Sequence, residues 1–305
     1  MALEHLVVTS DFQDWGTPTN CNAALDAFTK HVMNGYDPST TRVQLNGDLL
    51  DFHALQNFKE YDPEEFNKAL QEGIIPQVAN QLMKNMGIED PESLSEEDMQ
   101  KVLSGAIGQS YLHHMSSTLK ELVSGGFKTT AIIGNNEQRV LYPSVSDQQT
   151  FYTISDRFKE VVSNTSGVEF IDDGQVRDWD GLRVYSTQYL NDPAFGQGSD
   201  VDSTDEGSVY EQLSTIEKGG KPNVIMLHGN PLADENAQGL KQYFDEYEGE
   251  TLYVFSGHRG SPGVKGEVNS KGSRIVYVNT NNSKDQQLVY DAEVNNGKIV
   301  ALNEY

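Results

Sequence analysis

The stretch Gly47-Asp48-Leu49-Leu50-Asp51 directly follows the strand-like run Thr41-Arg42-Val43-Gln44-Leu45-Asn46. An apolar strand that ends in Gly-Asp places a carboxylate at the carboxyl edge of a sheet, where open α/β sheets bind ligands. Glycine allows the backbone to turn sharply there and leaves room beside the carboxylate. The same pair also fits a purely structural turn, so its meaning depends on what the other strand ends carry.

The residues on either side of this stretch predict a βαβ unit and a long helical segment. Leu6–Ser10 has the composition of a short strand, and apolar residues at helical spacing predict a helix over Cys21–Asn34 that stops at Gly35. With the strand at 41–46, this order implies parallel strands joined by a right-handed crossover. Residues 52–127 show a helical pattern that is too long for a simple crossover. We therefore expect a single domain over 1–305 with a helical insertion at 59–125.

The rest of the chain predicts further strands. Val168–Ile171 and Leu182–Tyr185, with Trp179-Asp180-Gly181 as the turn between them, predict a second, partly antiparallel sheet. Residues 191–208 are polar and acidic and predict a loop. The remaining predicted elements are strands at Thr129–Ile133, Asn223–Leu227, Leu252–Phe255, Arg274–Asn279 and Leu288–Tyr290, and a helix near 147–163. The C-terminal third is therefore expected to contain strands only.

The composition restricts the function and the location of the protein. A formal net charge of -24 at pH 7 repels nucleic-acid phosphate, and it suits either simple solubility or a halophilic setting in which salt screens the self-repulsion. Cys21 is the only cysteine, which excludes an intrachain disulfide and suits a reducing interior. There is no apolar run of about 18 residues and no secretory pattern at the N-terminus. We expect a cytoplasmic protein, or a virion-associated one if its source is viral.

Five predicted strands end in a residue that can bind a metal ion, namely Asp11, Asp48, Asn135, His228 and His258. Parallel strands of one sheet can bring such residues to one edge although they are far apart in sequence. Asp, Asn and His together suit a divalent cation such as Mn, Fe, Zn or Ni. Each residue also has a structural explanation: Asp11 could cap a helix, His228 could bond a backbone carbonyl, and Asn135 could hold a turn.

In this order the motifs resemble those of the calcineurin-like metallophosphoesterase superfamily. The corresponding stretches are Asp11-Phe12-Gln13, Gly47-Asp48-Leu49-Leu50-Asp51, Gly134-Asn135-Asn136-Glu137, His228-Gly229 and Gly257-His258-Arg259-Gly260. The segments 47–58 and 137–139 look most like the subgroup common in bacteriophage and virus genomes. The resemblance covers residues 5 to about 282. It implies an α/β (α+β) fold, a four-layer sandwich of two facing mixed β-sheets flanked by helices, with the helical insertion after the second strand.

The resemblance also implies two metal sites that share Asp48. Asn135, His228 and His258 would complete the first site, for which every family ligand is present. The second site would keep Asp11, Asp48 and the amide oxygen of Gln13, an oxygen-only set that favours Mg or Ca, or leaves the site vacant. Two such ions polarise a phosphate and lower the pKa of a water molecule. Manganese is one cation that fits the first site.

The remaining roles that the resemblance implies are catalytic and substrate-binding. Asp48, His228 and Asn136 would take part in catalysis, and Asn136, Arg139 and Arg259 would contact the substrate, a phosphate ester.

Three histidines of the family pattern are absent from this chain. Gln13, Asn136 and Gly260 stand in their places. An amide such as Asn136 can donate a hydrogen bond but supplies no proton, and loss of general acid catalysis typically costs about 10²–10⁴ in rate. His53 or the pair His113-His114 could supply the proton from another direction, although a helix-surface or packing role is the simpler interpretation of that pair. We expect a weakened enzyme.

Three functions follow from these observations. The first is a metal-dependent phosphoesterase (a hydrolase of phosphomonoesters or phosphodiesters) that uses metal-activated water. The alternative is a catalytically inactive, metallophosphoesterase-like binding or structural protein, for example in a virion. A nuclease has the least support, because the chain has no basic stripe with interleaved aromatic residues. We therefore expect neither nucleic acid nor a membrane as a partner.

Overall fold

Two six-stranded β-sheets pack face to face in the computed structural model of the chain. The structure describes residues 2–12, 18–49, 75–85, 87, 102, 112–132, 134, 154–171, 174–187, 206–216, 220–233, 237–258, 260–281 and 289–305. Within these ranges, the first sheet has the strand order β12-β11-β1-β2-β3-β4 and the second has the order β5-β6-β7-β8-β10-β9. Both sheets are mixed, since each combines parallel pairs with antiparallel pairs near its edges.

The strands of both sheets are short, as is usual for buried sheets. The first sheet consists of β1 (His5–Thr9), β2 (Thr41–Asn46), β3 (Lys128–Ile132), β4 (Val168–Phe170), β11 (Tyr290–Asn295) and β12 (Lys298–Glu304). The second consists of β5 (Val176–Trp179), β6 (Leu182–Ser186), β7 (Val224–Met226), β8 (Thr251–Ser256), β9 (Gly263–Val268) and β10 (Arg274–Asn279).

Helices cover the outer face of each sheet. They are α1 (Pro18–Gly35), α2 (Ile75–Asn85), α3 (112–124), α4 (Ile154–Asn164), α5 (Glu206–Thr215) and α6 (Gln238–Glu246). Helices α1, α3 and α4 share one apolar cluster with the first sheet, and α5 and α6 share another with the second sheet. The layers therefore run helix, sheet, sheet, helix, which confirms the predicted four-layer sandwich. No helix among the described residues has the length and hydropathy needed to span a bilayer.

The burial of β1 shows how the sequence produces this arrangement. Leu6 and Val8 point into the apolar layer between the two sheets, whereas Val7 points into the layer beneath α1. A strand buried on both faces needs a continuous apolar run rather than alternation, and that is the pattern at 6–8. The predicted βαβ unit is confirmed, because β1 and β2 are parallel and α1 connects them, ending at Gly35.

Three expectations about the second half of the chain were wrong. Val168–Phe170 does not join the second sheet; it pairs in parallel with β3 in the first. The antiparallel partner of β6 is instead β5, Val176–Trp179. The sequence analysis assigned Trp179 to the turn and predicted no strand before it. The C-terminal third also contains helices, since α5 begins at Glu206, inside the expected loop, and α6 lies between β7 and β8. In α6 the buried residues Leu240, Tyr243 and Phe244 have the i, i+3, i+4 spacing of an amphipathic helix, a signal that the sequence analysis missed.

The helical insertion is described only in part. Helices α2 and α3 follow β2, and α3 contributes Met115, Leu119 and Leu122 to the cluster beneath the first sheet. The boundaries 59–125 and the single-domain assignment stay predictions, because residues 59–74 and 88–101 lie outside the described ranges.

Candidate metal centre

Four of the predicted site residues lie at the carboxyl ends of strands, where the two sheets meet. Asp11 follows β1, Asp48 follows β2, His228 follows β7 and His258 follows β8. Asp11, Asp48 and His258 have φ values of 58°, 51° and 66°, in the left-handed region. Such backbone angles in residues other than glycine cost free energy and are concentrated at functional sites. Three residues with strained backbone angles therefore lie at the same edge of the fold.

Asp48, His228 and His258 meet at one point although 180 or more residues separate the aspartate from either histidine. One ligand atom from each lies within 4.8 Å of the others. His228 Nε2 is 3.2 Å from Asp48 Oδ2, and the two imidazole rings are 5.3 Å apart between centroids. Asp48 and His228 are fully buried and His258 is partly exposed. A carboxylate and two imidazoles at this spacing are a donor set for a divalent cation.

A carbonyl group fixes the orientation of His228. Its Nδ1 lies 2.9 Å from the backbone oxygen of Asn46, and a carbonyl only accepts, so Nδ1 donates the hydrogen bond. Nε2 is thereby directed toward Asp48. Metal-binding histidines usually have such a second bond on the ring nitrogen that is not a ligand. The structural explanation of His228 and the metal-ligand explanation therefore both apply, one to each nitrogen.

Asp11 lies beside this group, but its carboxylate has other partners. The backbone N–H of His258 donates to its two oxygens at 3.0 and 3.2 Å, and the Ser10 hydroxyl bonds Oδ2. Ser10 Oγ is in turn 2.7 Å from Thr280 Oγ1, which follows β10 in the other sheet. These bonds hold the His258 backbone in place, so Asp11 positions that residue whether or not it also binds a metal ion.

Hydrogen bonds cross from one sheet to the other at this edge. The Asn46 amide donates to the Leu227 carbonyl at 2.8 Å, and the Asn46 carbonyl accepts from His228. The Ser10–Thr280 contact is a second such link. Ser10, Asn46 and Thr280 link the sheets beside the candidate site, and sequence reasoning missed them. Only Asn46 carried a signal, since it is a polar residue directly before Gly47.

Gly47 is packed too closely for any other residue. Its φ is 83°, and a Cβ built there would lie 2.6 Å from His228 Nδ1 and 2.8 Å from the backbone of Gly134. The absence of a side chain lets β2, β3 and His228 approach one another. The glycine that precedes the Asp48 carboxylate is therefore required by both the backbone angle and the space.

The buried charges of the site shift one another's pKa values. Burial raises the pKa of Asp11 from 3.8 to about 8, an effect that the charge of His228 opposes and that of Asp48 reinforces. Burial by itself would lower the pKa of His228, but the charge and hydrogen bond of Asp48, then Asp11 and the Asn46 carbonyl, raise it from 6.5 to about 10. Both shifts favour the protonated forms of Asp11 and His228 in the metal-free site.

These shifts predict that the metal-free protein loses stability as the pH rises. Both folded pKa values exceed the unfolded ones, so the folded state binds more protons between about pH 4 and 10 and is favoured at the lower pH. We expect the melting temperature in chelator to fall between about pH 5.5 and 8, where Asp11 contributes throughout and His228 contributes above about pH 6.5. Thermal unfolding across this range, followed by intrinsic fluorescence, measures the slope.

The matched control for this pH dependence is Asp11→Asn, which keeps the shape and tolerates φ near 58° but does not titrate. We expect its melting temperature to fall less steeply over the same range. Equal slopes in the two proteins would contradict the assignment of the proton to Asp11.

Gln13, His53, Asn135, Asn136, Arg139 and Arg259 lie outside the described residues. His114 Nε2 is 3.1 Å from Asp26 Oδ1 on α1, a contact between helices, and His113 is exposed on α3. Gly260 has φ 84°, and a Cβ there would lie 3.2 Å from Asn230 Nδ2 and 3.3 Å from Asn279 Nδ2. Side-chain amides thus crowd the place where the family pattern has its last histidine.

Comparison with known proteins gives a likeness of fold. No protein-family model matches the chain, and no curated protein is similar to it in sequence. One solved crystal structure matches with a TM-score of 0.52 at 12% identity, covering 99% of this chain and 98% of that one. The likeness concerns the fold alone. It shows that another chain of similar length adopts the same two-sheet arrangement from end to end.

Two further solved structures are less similar to this chain than that one. TT1561 of Thermus thermophilus matches with a TM-score of 0.47 at 10% identity, over 99% of this chain and 98% of that one. The NAD nucleotidase NadN of Haemophilus influenzae matches with a TM-score of 0.47 at 9% identity, and this chain spans about half of it, 49%. At these TM-scores neither similarity supports a conclusion about this chain.

Proposed function

We propose that the chain is a metal-dependent phosphoesterase of the calcineurin-like metallophosphoesterase type. The observation that carries the proposal is the meeting of Asp48, His228 and His258, which come from three separate motifs and two different sheets. The ordered motifs of the sequence imply that these residues share one ion.

The side chains present fit a divalent cation of intermediate softness. Asp48, His228 and His258 would hold it, and Asn135 would complete the set, as the family pattern implies. Mn, Fe, Zn and Ni are the candidates for this site, and Mg or Ca for a second, weaker site at Asp11, Asp48 and Gln13. When bound, such an ion supplies Lewis-acid polarisation of a phosphate oxygen and lowers the pKa of a water molecule.

In this proposal, residues of the chain first hold the metal-binding histidines in place, and others then bind the substrate. The Asn46 carbonyl holds the His228 ring, and the Asp11 carboxylate holds the His258 backbone, so the His228 imidazole and the main chain of His258 are fixed before the substrate arrives. Fixed groups of this kind need no reorganisation during the reaction. Arg139 and Arg259 would pair with phosphate oxygens, and Asn136 would donate a hydrogen bond to the leaving oxygen without supplying a proton.

Two observations favour the alternative of a metal-binding protein without catalytic activity. The Asp11 carboxylate is already bonded by Ser10 and by the His258 backbone, and Gly260 offers no imidazole. Both features weaken the second metal site and leave the first one intact. A viral source, a virion location and a halophilic host stay predictions from the sequence.

Metal content and hydrolysis measured on the same preparation test the proposal. Protein purified without chelator is expected to contain close to one equivalent of tightly bound divalent metal and to hydrolyse an activated aryl phosphate in Mn(II) above a chelated blank. Bound metal without turnover on monoesters and diesters, over several cations, would support the alternative. Absence of both bound metal and turnover would refute the phosphoesterase proposal.

A further inference from the structure

Strand β9 is an exposed edge of the second sheet. It pairs with β10 on one side, and within the described ranges no strand pairs with its other side. Every residue after Gly263 in this strand is exposed, and Val264 and Val268 are 51% and 70% exposed. An open edge with apolar side chains is a template for pairing with another strand, and soluble proteins usually protect such edges.

The pairing with β10 shows which backbone groups point outward. Asn269 N–H donates to the Ser273 carbonyl at 3.0 Å, immediately beyond the Val268–Arg274 pair. Hydrogen-bonded and non-hydrogen-bonded pairs alternate along an antiparallel ladder, so residues 263, 265 and 267 bond β10. The N–H and C=O groups of residues 264, 266 and 268 therefore face the open side.

The sequence of β9 is complementary to itself in one register. If two copies pair antiparallel around Gly266, each Val264 lies opposite Val268 of the other copy and each Lys265 lies opposite Glu267. A shift of two residues in one direction places Lys265 of one copy opposite Lys265 of the other. The same shift in the other direction places Glu267 of one copy opposite Glu267 of the other. A shift of one residue no longer matches the outward backbone groups. Opposite charges across strands stabilise a pair, and like charges destabilise it.

We propose that β9 pairs antiparallel with β9 of a second copy of this chain, joining the two second sheets edge to edge. The complementary charges at Lys265 and Glu267 select a second copy over an arbitrary extended peptide. The contact is small, because six residues span about 20 Å and stable interfaces bury about 800 Å² per partner. A net charge of -24 on each chain opposes association. The dimer is therefore reversible, and salt strengthens it by screening this repulsion.

Sedimentation equilibrium of the full chain tests this interface. The chain, from about 1 μM to about 1 mM, is expected to show a monomer–dimer equilibrium whose association constant is higher in about 0.5 M salt than in about 0.05 M salt. Lys265→Glu is expected to weaken the dimer at least about tenfold, because it turns two attractive cross-strand pairs into repulsive ones. Lys265→Glu combined with Glu267→Lys restores the pairs at the original net charge and is expected to recover the dimer.

Two further variants separate this pairing from other effects. Lys271→Glu changes the net charge equally on the exposed turn outside the strand, so it is expected to weaken the dimer much less. Gly266→Pro removes an outward N–H that β10 does not use, and a Cβ there has its nearest neighbour at 3.8 Å, so the fold persists and the dimer is lost. A monomer at every concentration and salt, or a dimer indifferent to Lys265→Glu and Gly266→Pro, would overturn the proposal.

Discussion

Asp48→Asn is expected to reduce the hydrolysis of an activated aryl phosphate in Mn(II) by at least about 10²-fold, because even the outer partners of metal ligands are worth about 10–100-fold. Asp48 is fully buried, faces His228 Nε2 at 3.2 Å, and is the one carboxylate in the group that could hold the cation. An amide has the same shape but lacks the negative charge. Steady-state rates and metal content per chain, measured on the same preparation, quantify the loss.

Asparagine is the right replacement at this position because the backbone of residue 48 has φ 51°, which asparagine tolerates better than alanine does. The matched control is Asp37→Asn, the same chemical change on an exposed loop before β2, where the side chain accepts hydrogen bonds from Ser39. We expect Asp37→Asn to leave rate and metal content unchanged. A folded Asp48→Asn protein that keeps both its metal and its rate would refute the proposed metal site.

Gly47→Ala is expected to destabilise the fold and disrupt the site together. A Cβ at residue 47 would lie 2.6 Å from His228 Nδ1, and φ 83° is unfavourable for alanine. The left-handed backbone costs about 1–2 kcal/mol and overpacking another 1–3 kcal/mol, so we expect a loss of about 2–5 kcal/mol in the free energy of unfolding. Denaturant unfolding with a constant m-value measures it, and metal titration of the remaining folded protein reports the displacement of His228.

Gly35→Ala is the control for that substitution. Gly35 ends α1, and a Cβ there has no neighbour within 4 Å. We expect a change of less than about 0.5 kcal/mol, as for most exposed positions. If Gly47→Ala were equally mild, the close approach of β2, β3 and His228 would not be a requirement of the fold.

The parts of the fold that local patterns encode were predictable from the sequence. Residues 6–8 form a continuous apolar run, 41–46 alternate polar and apolar residues, and Gly35 marks the end of the helix between them, so the βαβ unit followed directly. The sheet to which β4 belongs could not be predicted in this way. Val168–Phe170 is too short to carry a pattern, and its pairing with β3 depends on α4 returning the chain to the first sheet.

The candidate site was predictable to the extent that each side chain ends a strand. Asp11, Asp48, His228 and His258 were identified because each follows a predicted strand, and the structure places all four at one edge. The roles of Ser10 and Thr280 could not be predicted, because 270 residues separate them and the bond between them forms only across the two sheets. The left-handed angles at Asp11 and His258 are likewise a property of the assembled edge.

The hydrogen bonds between the sheets also bear on the order in which the protein folds. Asn46 and His228 belong to different sheets, so neither sheet alone can form the binding group. Cation affinity at the proposed site would therefore report sheet docking, because a cation that binds only the docked state stabilises it by an amount that grows with the free cation concentration. A core substitution far from the edge, in either sheet, would consequently weaken cation retention only once it lowers the fraction of docked protein.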